Sequence, residues 1–289
     1  MGKKVKKFNF LAFARSDKLA SYIIPDKGME FVSMDASAGE PSIISHLTRD
    51  ERYQYASIEE PGKRAYYDST GFLWITDVYL SFGSMTSYAP VIEKWYKDNG
   101  PEEAFTHKWE TDKDVLVKQI KAQRKVLKTV TLATLYGAFP KKIHETLTLN
   151  GEEVTLEDCQ ILFETFWKTF SRIDKFKKHI TRVNQKQGYL INLFGFRGTP
   201  HHKDSLNWLI QSSLNGVVLL FLERICENFP NFQFTQFYHD EIIGQIPINR
   251  REEFREAHKK AVQELNDMLS WNIPVRFGLN FGENYLAIK

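Results

Sequence analysis

Short apolar strands near both ends of a chain whose middle reads as helix predict an α+β fold for this 289-residue sequence. The first strand is Phe31-Val-Ser-Met, an apolar alternation that ends in Asp35. The second signal is Phe232–Ile248, where apolar and aromatic residues flank Tyr238-His239-Asp240-Glu241. This is the pattern of an antiparallel hairpin with acids at its tight end. Between them, residues 118–137 read as one helix, free of Pro and Gly until Gly137, where a helix is expected to stop.

Composition sets broad limits. Hydrophobic residues make up 42% and charged residues 26%, ordinary values for a soluble globular protein of one domain or two closely joined lobes. A chain of this length can bury a real core. The net charge of +3 permits nucleic-acid binding without arguing for it. Its distribution says more, because four lysines open the chain and the 118–128 stretch is dense in positive charge. Cys159 and Cys226 fall in predicted helices in apolar contexts and are expected as buried thiols of a reducing, cytoplasmic compartment. Zinc spacing is absent, and the adjacent His201-His202 read as a loop pair. The basic start lacks an apolar segment of signal-peptide kind, and Gly216–Leu222 is too short to span a membrane, so no membrane role is expected.

In chain order, residues 29–34 form the strand carrying Asp35, and Pro41 can start a helix through about Arg49. Residues 50–117 are rich in Tyr, Trp and Ser and interrupted by Pro61-Gly62, Gly71, Gly83, Pro90 and Gly100-Pro101. Asn150-Gly151 marks a turn, and Thr155-x-x-Asp158 looks like a helix start. The stretch after it runs to Gly188 as one long amphipathic helix or a helix pair. A further helix opens near Asn207 and continues to about Glu227, and residues 250–270 form the last one.

Within the central helix, steps of four place Arg124, Lys128, Leu132 and Tyr136 on one stripe, cationic at one end and aromatic at the other. That suits an anionic tail with a flat head, such as a nucleoside triphosphate. From spacing alone the plainer reading, a solvated basic face running into a core face, is the better one. The order of three motifs reverses this. Asp35-Ala-Ser-Ala-Gly-Glu40, Arg124-x3-Lys128-x3-Leu132-x3-Tyr136-Gly137 and His239-Asp240-Glu241 resemble motifs A, B and C of the family A DNA polymerases, the bacterial DNA polymerase I type. Gly188-Tyr-Leu-Ile-Asn-Leu-Phe-Gly195-Phe-Arg197 is similar to the hairpin of that family, and Asn207-x3-Gln211 to the signature before motif C.

The resemblance implies a right-hand polymerase palm, built on an antiparallel sheet, with helical fingers. Palm residues would be 1–50 and 188–289, fingers 118–187, and 51–117 an aromatic-rich insertion, because 124 − 35 = 89 positions separate motifs A and B. Trp74, Tyr79, Phe82, Tyr88, Trp95 and Tyr96 in it could stack on bases, although packing a small subdomain is the commoner use. Only 34 residues precede Asp35, where the family places a thumb and usually an exonuclease. The expectation is palm and fingers alone, working with a second chain, as in a split enzyme of bacteriophage kind.

By the same resemblance, Asp35, Asp240 and the carbonyl of Ala36 would bind two Mg²⁺ ions, with Glu241 as a third, less essential acid. Arg124 and Lys128 would hold the dNTP triphosphate. Ser37, Leu132 and Tyr136 would line the nucleotide, with Tyr136 at the stacking place for the template base. Glu40, at the steric-gate position, would exclude a ribose 2′-hydroxyl. Gly137, Arg197, Lys203, Asn207, Gln211 and His239 would meet the primer-template DNA. Leu132 stands where the family has Phe or Tyr, Ala38 replaces a Gln, and Gly39-Glu40-Pro41-Ser42 replaces Ile-Glu-Leu-Arg, so the roles of those family residues do not carry over. The rivals are an inactive polymerase fold that binds DNA or a partner, an RNA polymerase or primase, against which Glu40 speaks, and a generic helical DNA-binding protein.

Overall fold

The computed structural model describes residues 18–58, 65–99 and 115–288. The lysine-rich opening and the breakers Pro61-Gly62 and Gly100-Pro101 lie outside them. Chain order runs β1 (Met29–Ser37), α1 (Gly39–Thr48), α2 (Glu51–Ser57), β2 (Ala65–Tyr67), β3 (Leu73–Ile75), α3 (Val78–Gly83), α4 (Ala89–Asn99) and α5 (Val115–Leu135). It continues with α6 (Pro140–Leu149), α7 (Leu156–Thr169), α8 (Ser171–Gln187), β4 (Leu190–Ile191), β5 (Arg197–Gly198) and α9 (Ser205–Asn228). The last elements are β6 (Gln233–Tyr238), β7 (Glu241–Pro247), α10 (Arg251–Leu269), β8 (Arg276–Phe277) and β9 (Asn280–Gly282).

The chain divides into two compact units. One comprises Met1–Gly39, Leu214–Trp271 and Val275–Lys289; the other comprises Glu40–Ser213 with Asn272–Pro274.

The first unit is built on an antiparallel sheet in the order β6-β7-β1-β8, with β9 also pairing β1. The alternation at Phe31–Asp35 predicts a half-buried strand, yet β1 is buried continuously from Glu30 to Met34. Both faces of the sheet are covered. On one side Phe31 and Ile243 pack with Ala20, Tyr285 and Ile288, which come from 3₁₀ turns at Lys18–Tyr22 and Leu286–Ile288 and the residues beside them. On the other side Phe254 of α10 meets Phe281 edge-on, and Phe221 of α9 stacks on Phe277 at 3.8 Å. Each such buried ring contributes roughly 1.5–3 kcal/mol. Gly244 on β7 is required by the close approach of Phe232, whose ring would lie 2.3 Å from a Cβ there.

By length and composition the helix spanning His202–Asn228 could cross a bilayer, which the short run Gly216–Leu222 did not indicate; half of its most apolar window is buried in the protein. Val217, Val218, Phe221 and Ile225 are buried, as in the core helix of a globular fold. Cys226 is a correction: it is exposed, because it falls one residue past Ile225 on the solvent side of α9, whereas Cys159 is buried as expected.

In the second unit α3, α4, α6 and α7 pack around α5. The aromatics of residues 65–99 mostly build this interior. Phe82, Trp95 and Tyr96 are fully buried, and Phe82 meets Phe166 of α7 edge-on at 5.5 Å. Trp74 stacks on Tyr66 and meets Tyr55 and Phe72 edge-on. The stretch after Thr155 is a helix pair. Thr155 and Asp158 close a capping box at the start of α7, and Phe170, at φ −106° and ψ 58°, breaks the chain before α8. Helix α1 begins at Gly39, two residues before Pro41, which is tolerated in a first turn.

Candidate active site

In the sheet unit, backbone pairing brings motif residues together from opposite ends of the sequence. β1 and β7 run antiparallel with Asp35 opposite Glu241 and Met34 opposite Ile242. The β6–β7 turn is His239-Asp240, and His239 adopts a left-handed φ of 56°, the geometry a tight turn needs. The Ala36 amide donates to the Asp240 carbonyl at 3.1 Å and so ties this turn to β1. On the other edge, the Gly278 amide donates to the Asp35 carbonyl at 2.8 Å. Directly after, Ala38 has φ 55° and Gly39 lies against Leu214, where a Cβ would come within 2.6 Å.

The three acids of this unit differ in setting. The Asp35 side chain is exposed. Asp240 is half-buried, and burial pushes its carboxyl above the usual carboxylate range; His239 opposes this and Glu241 adds to it. Glu241 is buried and accepts a 2.5 Å hydrogen bond on Oε1 from the Ser33 hydroxyl. The donors at this sheet end, two carboxylates and the Ala36 carbonyl, are all hard oxygens, the set magnesium prefers. Among the described residues no three His, Cys, Asp or Glu side chains are grouped to hold an ion unaided. An ion here would take its other ligands from water or substrate, as Mg²⁺ commonly does. Ser37 is half-buried at the end of β1, and His239 is exposed.

In the helical unit, α5 buries Val117, Ile120, Val126, Leu127, Val130, Thr131, Thr134 and Leu135. Its other face carries the four-step stripe from Arg124 to Tyr136. Arg124 Nε donates to Asp77 Oδ2 at 2.7 Å, and its guanidinium lies 5.0 Å from the Tyr79 ring centroid. The exposed Lys128 sits 6.0 Å from the same ring. Asp77 is fully buried, and its other oxygen caps α3 by accepting from the Tyr79 and Leu80 amides. Burial and the Asp77 charge push the Tyr79 hydroxyl up to about 12.

The helix ends in a Schellman motif. Gly137 has φ 86°, its amide donates to Thr134, and the Ala138 amide donates to Ala133. A residue with a Cβ is strained at that φ, which explains the Tyr136-Gly137 pair. Tyr136 then meets residues from two distant stretches. Gln211 Nε2 donates to Glu40 Oε1 and, at 3.2 Å, to the Tyr136 hydroxyl. Burial, followed by the adjacent Glu40 carboxylate, raises the Tyr136 hydroxyl far above its ordinary range. Half-buried Leu132 completes the stripe.

The remaining expected DNA contacts lie around the hairpin and the start of α9. Arg197 is exposed, its guanidinium 3.8 Å above the Tyr189 ring. Lys203 is exposed beside the paired rings of His201 and His202. Asn207 Oδ1 is buried without a hydrogen-bond donor.

Three organising residues were not anticipated. Asn192 accepts from the Phe194 and Phe196 amides and donates to the Ser212 carbonyl, holding the β4–β5 hairpin on α9. Asn184 bridges Pro200 and Ser205. Asp77 is the third. An aspartate before an apolar run is a cap signal, but nothing in the sequence links it to a residue 47 positions later.

Comparison with known proteins follows the same lines. The family model for DNA polymerase family A matches residues 104–287, which include motifs B and C. DNA polymerase I of Aquifex aeolicus (strain VF5) is 27% identical over 165 residues, covering 54% of this chain and 28% of that protein. The DNA polymerase of Mycobacterium phage L5 is 26% identical over 132 residues, covering 45% of this chain and 21% of that protein. The chain thus spans under a third of the length of these curated relatives. The POL domain of Pol1 from M. smegmatis, solved in complex with DNA primer-template and dNTP, has the same fold. Its TM-score is 0.67 at 12% identity, over 97% of this chain and 45% of that one.

Proposed function

The chain belongs to DNA polymerase family A, and from that premise we propose that it adds deoxynucleotides to a primer 3′ end under the direction of a DNA template. The observation that carries this is the β1–β7 register, which sets Asp35 opposite Glu241 and ties Ala36 to Asp240. That register joins the strand-end acid expected early in the chain to the acidic turn expected late.

In this reading Asp35, Asp240 and the Ala36 carbonyl hold two Mg²⁺ ions. Such ions, when bound, lower the pKa of the primer hydroxyl and neutralise charge on the transferring phosphate. Glu241, fixed by Ser33, keeps the β7 end in place. Arg124 and Lys128 bind the triphosphate, the guanidinium through paired donors and the ammonium as a point charge. Glu40 and Tyr136, joined by Gln211, form the wall that the sugar and base of the nucleotide meet, and Glu40 crowds a 2′-hydroxyl. By the family resemblance, Leu132 on the α5 stripe and Ser37 at the end of β1 would each meet the nucleotide. The donor-free Asn207 carbonyl suits a base-edge donor in the minor groove. Arg197, Lys203, Gly137 and His239 serve the DNA backbone and primer end. A second chain supplying a thumb or exonuclease, a phage-like split organisation and work in the cytoplasm belong to the same proposal.

Primer extension by the purified chain with Mg²⁺ and dNTPs, beside Asp240→Asn, tests it. Extension that the substitution abolishes supports the polymerase. A folded chain that binds primer-template but extends nothing, even with candidate partner chains added, refutes catalysis and leaves a polymerase fold used for binding.

A further inference from the structure

Arg124 is the residue through which the triphosphate reading stands or falls, and it is held by a residue outside all three motifs. Asp77 is completely buried, so its charge needs a partner that stays in place. Oδ1 takes the two amides at the start of α3, and Oδ2 takes Arg124 Nε at 2.7 Å. A guanidinium carries five N–H donors in a rigid plane. Among the described residues only Nε donates, to Asp77, which leaves the terminal nitrogens for two oxygens of a phosphate. The Tyr79 ring supports the same guanidinium at 5.0 Å and Lys128 at 6.0 Å. Both cations of motif B therefore rest against one short stretch, Asp77–Tyr79, at the start of α3.

We infer that Asp77 is a positioning residue: it holds Arg124 by Nε so that the terminal guanidinium nitrogens are presented to the dNTP phosphates, with Tyr79 as the platform beneath Arg124 and Lys128. This rests on the polymerase reading and deepens it, giving part of the 51–117 segment a role in nucleotide affinity. An arginine side chain has several rotatable bonds, and fixing it before the ligand arrives removes an entropic penalty from binding. The buried aspartate also keeps the pair intact when nucleotide binds, because a departing Arg124 would leave a buried charge without its partner.

The test compares the full chain with Asp77→Asn, Asp77→Ser and Asp77→Ala. Single-nucleotide extension is measured where the chain extends, and dNTP binding by tryptophan fluorescence in every case. Asn and Ser retain a capping oxygen and remove the anion, whereas Ala removes both. Asn and Ser are expected to raise the KM or Kd for dNTP about tenfold, with kcat, primer-template affinity and melting temperature close to those of the parent chain. Ala should show the same loss of affinity and also melt earlier. Unchanged dNTP affinity in Asn and Ser, with a defect only in Ala, would overturn the inference and leave Asp77 as a helix cap. A parent chain that neither extends primers nor binds dNTP would overturn the polymerase reading and this inference together. Parent binding matched by Asn and Ser would overturn the inference alone.

Discussion

The acidic end of the sheet and the cationic face of α5 are positioned by different means. In the sheet unit main-chain hydrogen bonds set the geometry: the β1–β7 ladder, the Ala36–Asp240 bond and the Gly278–Asp35 bond. In the helical unit side chains set it, through Asp77 on Arg124, Tyr79 under Arg124 and Lys128, and Gln211 between Glu40 and Tyr136. Carboxylates have short side chains, so a strand register places them within narrow limits. Arg and Lys end far from their Cα atoms and need a second side chain to restrain them. The sheet site should therefore be broken by changing the acids or deforming the backbone, and the helical site by removing supports that never touch the substrate.

The largest expected effect is at the sheet end. Asp240→Asn keeps the size of the side chain and the turn but removes a metal-binding charge. It should reduce primer extension by about a thousandfold or more while leaving primer-template affinity near that of the parent chain. Equal extension rates would break the assignment. Next, Glu40→Ala should relax sugar selection about a hundredfold, read as the dNTP-to-rNTP ratio of kcat/KM. A ratio that does not move would show that the Glu40–Gln211–Tyr136 network is structural only.

Smaller effects separate backbone from side-chain placement. Gly244→Ala drives a Cβ to 2.3 Å from the Phe232 ring and 2.6 Å from the Gln233 carbonyl. It should destabilise the sheet unit by about 1–3 kcal/mol, seen as a lower melting temperature, with extension falling in parallel. Unaltered melting would mean that the β6–β7 hairpin gives way easily. Ser33→Ala removes a hydrogen bond to buried Glu241 and should cost about 1–3 kcal/mol in urea denaturation. Extension at a temperature where the variant is folded should change little. A large loss of rate would instead place Glu241 in the chemistry.

Much of the architecture was legible because it is local. The central helix runs Val115–Leu135 and stops at Gly137, since lack of Pro and Gly and a glycine stop act over a few residues. The Thr155–Asp158 capping box and the final helix were readable for the same reason. Residues 65–99 were not, because α3, α4 and the β2–β3 hairpin are short and held by contacts far away in sequence. Phe82 against Phe166 and Gly83 against Leu127 are examples. The exposure of Cys226 also escaped, because one position around an apolar helix reverses which way a side chain faces.

By itself the sequence determined the helices, the acid-bearing strand and hairpin, the order of the three motifs and the chemical types they offer. Residue type and short-range periodicity carry all of these. The tertiary structure alone decided which acid is buried and hydrogen-bonded, which residue holds Arg124, and that Glu40, Tyr136 and Gln211 share one network. Those facts depend on side chains from distant stretches meeting within hydrogen-bond distance, and linear spacing carries no information about such meetings.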